Sequence, residues 1–160
     1  MQPFEEVVVE HGPVVLRVCR AVLGTDDAAE DAWSETFLSA LRAYPDLRPD
    51  SNVRGWLITI AHRKAIDQIR RRTRAPLLIR STPDVPSVDL DPMPDGDLRC
   101  ALSRLPTKQR AAVAYRYLAD LPYADIAELL DTTEAAARRN AADGIAKLRQ
   151  AYRRTAGEGS

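Results

Sequence analysis

Residues 122–150, PYADIAELLDTTEAAARRNAADGIAKLRQ, decide how this chain is read. Two helical stretches lie here, YADIAELL at 123–130 and TTEAAARRNAADGIAKLR at 132–149, joined by a short turn around Asp131-Thr132. Ile126, Ala127 and Leu130 give the first a buried face; Ala136, Ala137, Ile145 and Leu148 do so for the second. Thr133 can cap the second helix, and Glu134 suits the positive end of its dipole. Two amphipathic helices with this length and spacing form a helix-turn-helix. That motif places the first turns of its second helix in a major groove, where Arg pairs with guanine and Asn with adenine. Arg138, Arg139 and Asn140 are therefore the candidate readers, the alternative being a solvated helix face.

Upstream of this unit, helical patterns over about 97–105 and 107–118 precede the pair at 122–130 and 133–153, with Pro106 and Pro122 at the breaks. Before them the pattern dissolves. Residues 73–96 hold five prolines and four aspartates, a composition that prevents helix and favours extended chain, so the segment reads as a linker and a domain boundary. Leu77, Leu78 and Ile79 are unusual there and could dock on a domain or a partner. The N-terminal half predicts three helices: 4–23, with a break or kink at Gly12-Pro13; 26–44, capped by Thr25-Asp26; and 53–72. The second buries Ala29, Trp33, Phe37, Ala40 with Leu41, and Tyr44, and leaves Asp27, Glu30, Asp31, Ser34 and Glu35 on an available acidic face. The third buries Trp56, Leu57, Ile60, Ala61, Ile66 and Ile69 and carries Arg63, Lys64, Arg70, Arg71 and Arg72. No strand pattern occurs. The expected fold is all-α: two small helical domains, 1–72 and 97–153, a Pro/Asp-rich linker at 73–96, and a disordered tail at 154–160.

Net charge is zero, from 23 basic and 23 acidic residues, which argues against indiscriminate nucleic-acid binding. The distribution is uneven. Residues 1–50 carry 4 basic and 10 acidic side chains, and residues 51–80 carry 8 and 1. Positive charge concentrated in one helix is what a phosphate-facing surface requires, and the acidic segments suggest a protein partner. Helix 53–72 also offers Trp56 beside its cations, the combination that holds single-stranded DNA by backbone charge and aromatic stacking. A core role for Trp56, and a helix-dipole role for the C-terminal arginines, are the alternatives.

Cys19 and Cys100 belong to no CxxC or Cys/His cluster and read as reduced, buried small hydrophobes; His11 and His62 read as structural. No nucleophile–base pair, metal cluster or phosphate-binding glycine loop is present, so neither an enzyme, a cofactor nor a metal is expected. No apolar run approaches the length of a membrane span, and the acidic start MQPFEEVVVEH lacks a secretory signal pattern, so a cytoplasmic protein without membrane insertion is expected.

The order of segments resembles the extracytoplasmic-function sigma factors from about residue 4 to 152. AEDAWSETFLSAL at 29–41 is similar to the family's polymerase-binding helix. NVRGWLITIAHRKAIDQIRRR at 52–72 resembles the helix that melts and reads the minus-ten element, and LPTKQRAAVAYRYLADLPYADIAELL at 105–130 is similar to the family's Leu-Pro, Gln-Arg, Arg-Tyr and Tyr-x-x-Ile-Ala pattern. The resemblance implies a polymerase specificity subunit without catalytic chemistry. It implies that Asp31 and Glu35, on the face that also carries Asp27, Glu30 and Ser34, meet the clamp region of the beta-prime subunit of core RNA polymerase, with Phe37 turned inward. The loop 45–52, with Asp46, Asp50 and Asn52, would capture a flipped minus-ten base beside Trp56, and Arg54, Arg63, Lys64 and Arg70 would hold adjacent phosphates. Thr133, Glu134, Arg138, Arg139 and Asn140 would serve the duplex minus-thirty-five element. The linker would thread toward the polymerase active cleft. Family members are usually held by an anti-sigma factor, a further expected partner.

Three positions depart from the family. Ser34 stands where Gln is common, Asp131 replaces a turn glycine, and Asn140-Ala141-Ala142-Asp143 stands where Arg-Leu-His-Arg is usual, followed by a helix-weakening Gly144. Two other readings use fewer of the features: a stand-alone helix-turn-helix regulator needing only 97–153, and a sigma-like polymerase adaptor that does not read DNA.

Overall fold

Proline inside a helix removes a donor and crowds the turn before it, yet the first helix, α1, runs unbroken over Phe4–Leu23 with Pro13 inside it. Of the break or kink expected at Gly12-Pro13, the break is therefore corrected. Pro13 is exposed, as is Val9 at 77%, so water can serve the Val9 carbonyl that has lost its helical donor. The Gly12 carbonyl accepts the Trp33 indole N–H at 3.0 Å, tying α1 to the next helix. Gly24 ends α1 at φ +83°, its N–H donating to the Arg20 carbonyl; this left-handed cap favours glycine.

The computed structural model describes residues 2–74 and 94–158. After α1 come α2 (Asp26–Ala43), a 3-10 turn (Tyr44–Asp46), α3 (Val53–Arg74), α4 (Pro94–Ser103) and α5 (Thr107–Val113), which continues as a π turn (Ala114–Leu118). Then follow α6 (Tyr123–Leu129) and α7 (Glu134–Glu158). Among the described residues every regular element is helical, as expected. Helix α4 begins within the segment read as linker, and α7 continues into the segment read as tail. The expectations for 75–93, including Leu77, Leu78 and Ile79, lie outside the described residues.

Helices α1, α2 and α3 form one three-helix unit. Val7, Val15, Val18 and Cys19 pack with Ala29, Ala32, Phe37 and Ala40 and with Leu57, Ile58, Ala61 and Ala65. Small residues on α2 permit close approach, and Phe4, Trp33, Phe37 and Tyr44 fill one end with tilted and edge-to-face ring contacts at 4.8–6.4 Å. Leu41, expected in this core, is instead 52% exposed, because Ala40 and Tyr44 already define the buried stripe. Ile58, absent from the expected face of α3, is fully buried because α3 packs against α1, α2 and also α6.

In the C-terminal unit α7 packs chiefly on α5 and α6. Ala137, Ala141 and Leu148 are its buried side chains, whereas Ala136 and Ile145 are only half-buried. Gly144 explains the register: a Cβ there would stand 2.6 Å from Val113 Cγ2 and 3.3 Å from the Gln109 carbonyl oxygen. The glycine that weakens α7 as an isolated helix is what lets it approach α5. Asp120 and Asp131 adopt left-handed backbone at φ +56° and +54°, and Asp131 does so at the turn between α6 and α7 where the family places glycine.

Candidate polymerase and nucleic-acid interfaces

Helix α2 starts at Thr25, whose hydroxyl accepts the Ala28 N–H, and the period set by its buried alanines turns Asp27, Glu30, Asp31 and Ser34 to solvent and leaves Glu35 half-exposed. Leu38 and Leu41 continue that strip and are 56% and 52% exposed. Sequence reading found the carboxylates and missed the leucines, although Leu38 falls one heptad beyond Asp31 and so shares its side of the helix. The strip thus joins charge to apolar contact, the composition of a protein-docking surface. Phe37 turns inward, as the resemblance implies.

Helix α3 begins at Asn52, which is exposed and whose side-chain oxygen accepts the Gly55 N–H at 3.2 Å; the residue proposed to meet DNA is therefore also the cap that orients the helix. Asp46 and Asp50 are exposed in the preceding turn and loop. Arg63 and Arg70 are exposed, while Arg54 and Lys64 are half-buried. Trp56 is half-buried, with its ring 6.3 Å from Tyr44 and one side lining a cleft of about 570 Å³. It is both packed and accessible, which reconciles its two readings. Arg71 reaches Glu35 at 3.9 Å, and Arg72 donates to the Leu23 carbonyl and the Thr25 hydroxyl, so these two cations brace α3 against the α1–α2 corner.

The cleft separates α3 from the C-terminal unit, with Asn52, Thr59 and Arg63 on one wall and Leu121, Asp125 and Glu128 on the other. At its base His62 Nδ1 lies 2.5 Å from the Tyr115 hydroxyl. Burial holds the His62 imidazole below its ordinary range; a hydrogen bond with the Leu129 backbone pulls it back up, and the Arg63 charge depresses it further. Tyr115, on the π turn, is fully buried, and its hydroxyl is pushed well above the usual tyrosine range by burial first and by Cys19 second. His11 is also held down, mainly by burial, with Glu10 opposing and Arg54 adding to the effect. Burial raises the Cys19 thiol to about 12, an unreactive state, while Cys100 is exposed, contrary to its expected burial, because it lies on the outer side of α4.

Helix α7 begins as the sequence predicts. The Thr133 hydroxyl accepts the Ala136 N–H at 3.0 Å, and Glu134 accepts from Arg138 at 2.7 Å. The Arg138 guanidinium also lies 4.7 Å from the centre of the Tyr123 ring, over which Arg116 sits at the same distance. Arg138 and Arg139 are exposed and Asn140 is half-buried. Thr133 and Glu134 are thus already used in shaping the helix start, and Tyr123 enters as a support that its pattern alone did not announce.

Residues 7–75 match the model of sigma-70 region 2, and residues 95–148 match that of sigma-70 region 4. The chain is 29% identical over 153 residues to the extracytoplasmic-function sigma factor SigM of Mycobacterium tuberculosis, covering 91% of this chain and 74% of that one. The chain belongs to the extracytoplasmic-function sigma factors. It is also 28% identical to the sigma factor CarQ of Myxococcus xanthus, over 92% of this chain and 87% of the relative. In fold it is similar to the sigma factor RpoE solved with the anti-sigma factor NepR from Bartonella quintana, with a TM-score of 0.77 at 20% identity, covering 94% of this chain and 96% of that one. CnrH, solved with the cytosolic domain of CnrY, gives 0.66 at 22% identity, covering 92% and 85%. A sigma factor is a regulatory subunit that binds core RNA polymerase and promoter DNA and directs transcription initiation, and this chain carries both of the regions involved.

Proposed function

We propose that the chain docks on the beta-prime clamp of core polymerase through the α2 strip of Asp27, Glu30, Asp31, Ser34, Glu35, Leu38 and Leu41. The loop 45–52 and helix α3 hold the melted minus-ten strand, with Asp46, Asp50, Asn52 and Trp56 at the bases and Arg54, Arg63, Lys64 and Arg70 on phosphates. Helix α7 reads duplex minus-thirty-five DNA through Arg138, Arg139 and Asn140, shaped by Thr133 and Glu134. The working units are 1–72 and 97–153, with 73–96 passing through the polymerase between them. An anti-sigma factor is a further partner, and the site of action is the cytoplasm, with polymerase.

The observation that carries this reading is the separation of chemistry between neighbouring helices: the exposed strip of α2 is acidic and apolar, and the exposed side of α3 is basic. Opening needs no nucleotide hydrolysis, because each base captured outside the stack offsets a few kcal/mol of unpairing.

The engagement of Arg138 favours the adaptor reading, and magnitudes weigh against it. An exposed i,i+4 ion pair contributes about 0.3–0.5 kcal/mol and an exposed cation–π contact about 0.5–1. A bidentate guanine contact is worth roughly 1–3 kcal/mol of discrimination, enough to redirect the side chain. The test is to replace Arg63 and Arg70 together by Ala. Opening of a linear promoter should fall while polymerase binding persists; equal loss of both would refute the division of labour.

A further inference from the structure

Helix α7 runs on past its reading end. The match to region 4 stops at Leu148, whereas α7 continues to Glu158 and carries Arg149, Arg153 and Arg154 in that extension. Ala137, Ala141, Gly144 and Leu148 form the buried side of the helix. At about 100° per residue, Arg149 and Arg153 come round to the outer side, in line with Arg138 and Arg139 and separated from them by Ala142 and Ala146; all six are exposed. Arg154 and Asp143 fall about a quarter to a third of a turn to one side of this strip. Arg138 is engaged by Glu134, but among the described residues no ion pair involves Arg149 or Arg153.

We propose that Arg149 and Arg153 form a phosphate clamp, a second DNA contact on α7 that grips the sugar–phosphate backbone of duplex DNA beside the groove that Arg138 and Arg139 enter. The clamp rests on the proposed reading of minus-thirty-five DNA by α7. Distance selects the ligand. A rise of about 1.5 Å per residue puts Arg149 about 16 Å along the axis from Arg138, and Arg153 about 21 Å from Arg139. A major groove is about 12 Å wide, so cations at that spacing on the same helix face stand past the base edges, at the strand that borders the groove. Ala142 and Ala146 between them have no long side chain to hold the helix off the DNA. Charge points the same way: a phosphodiester offers two oxygens to the paired N–H donors of a guanidinium. Asn140 and Asp143 bring no cation to the middle of the helix, so the charge that can hold backbone lies at its C-terminal end.

A clamp of this kind adds affinity without sequence preference, because phosphate contacts position a protein and base contacts specify. Each phosphate neutralised by a side chain releases about one counterion and steepens the fall of log affinity with log salt by about 0.9. Two arginines therefore contribute about 1.8 to that slope, and their contribution to affinity shrinks about tenfold between about 50 and 200 mM salt. Arginines on a solvated helix face contribute only a diffuse field, which every cation nearby shares, Arg154 included.

The test uses the full chain bound to core polymerase, on a promoter recovered from a random pool by dependent transcription. Arg149 and Arg153 are exposed and Gln is nearly as good a helix former as Arg, so Arg149→Gln with Arg153→Gln leaves the fold in place. The double variant should lower the salt slope of promoter binding by about 1.8 while the preferred distal bases stay the same, and Arg154→Gln should leave the slope as it is. Uncharged methylphosphonate linkages, placed one at a time around the distal element, locate the contact: the loss of affinity that they cause with the wild-type chain should vanish with the double variant. An unchanged slope in the double variant, or an equal change with Arg154→Gln, would overturn the clamp. So would weaker polymerase binding in the absence of DNA, which would assign the two arginines to a protein contact. A distal base preference that survives Arg138→Ala with Arg139→Ala would instead strike the reading assigned to α7, and the salt slope would still decide whether Arg149 and Arg153 hold backbone.

Discussion

Gly144→Ala sets two effects against each other at one residue. Helix propensity favours Ala over Gly by about 1 kcal/mol in a helix interior. The added Cβ, however, would sit 2.6 Å from Val113 Cγ2, 3.3 Å from the Gln109 carbonyl oxygen and 3.5 Å from Leu105 Cδ1. Ordinary contact lies near 3.5–4.0 Å, so α7 and α5 must part by about 1 Å or Val113 must leave its rotamer. Overpacking of this kind costs about 1–3 kcal/mol, and because Val113 is stiff and one neighbour is backbone the upper end applies. The net is a destabilisation of about 1–2 kcal/mol, measured by urea unfolding of the full chain. Val113→Ala in the same molecule removes the obstruction, so the double variant should be more stable than the sum of its singles by about 1 kcal/mol or more. A Gly144→Ala variant more stable than wild type would refute the close-approach argument and return Gly144 to a mere helix weakness.

Three further outcomes are expected. Asp131→Gly relieves left-handed backbone and should raise stability by up to about 1 kcal/mol in the same assay, since the side chain stands at φ +54°. Thr133→Ala removes the cap of α7 and should cost about 1 kcal/mol while weakening promoter-dependent transcription more than polymerase binding. Stability should fall as pH falls. Because burial depresses His62 below its ordinary value near 6.5, the folded chain binds fewer protons than the unfolded one; that contribution is fully present above this pH and is lost progressively below it. Urea unfolding between pH 7.5 and 5.5 reads this, and His62→Gln should flatten the profile. Arg63, Asp125 and Glu128 face the same cleft, Tyr115 meets His62, and His11 is a second buried imidazole, so a profile unchanged by His62→Gln would assign the effect elsewhere.

Helix positions were legible because most carry their own punctuation: Thr25 and Thr133 cap as their residue types predict, and the prolines at 106 and 122 mark breaks, while the cap that Asn52 supplies to α3 emerged only from the geometry. Pro13 misled, since periodicity does not show that the affected carbonyl faces water. The acidic face of α2 was readable from the spacing of its alanines, but the exposure of Leu41 depends on which residues the neighbouring helices reach. Ile58, Cys100 and Gly144 share that cause: their burial, exposure or necessity is set by the packing of helices distant in sequence. The His62–Tyr115 contact lay beyond sequence reading for the same reason, and neither side chain announces the other. On α7 the order Thr133, Glu134, Arg138 was visible; that the first two already shape the helix start, and that Tyr123 supports the third, required geometry.

The most direct test of the account is run-off transcription from a pool of random promoters, using purified core polymerase with and without this protein. The account predicts transcripts that appear only with the protein and share two elements upstream of the start, the distal one losing its preference when Arg138 and Arg139 are replaced by Ala. Polymerase binding without any dependent transcript would contradict it and favour an adaptor that does not read DNA.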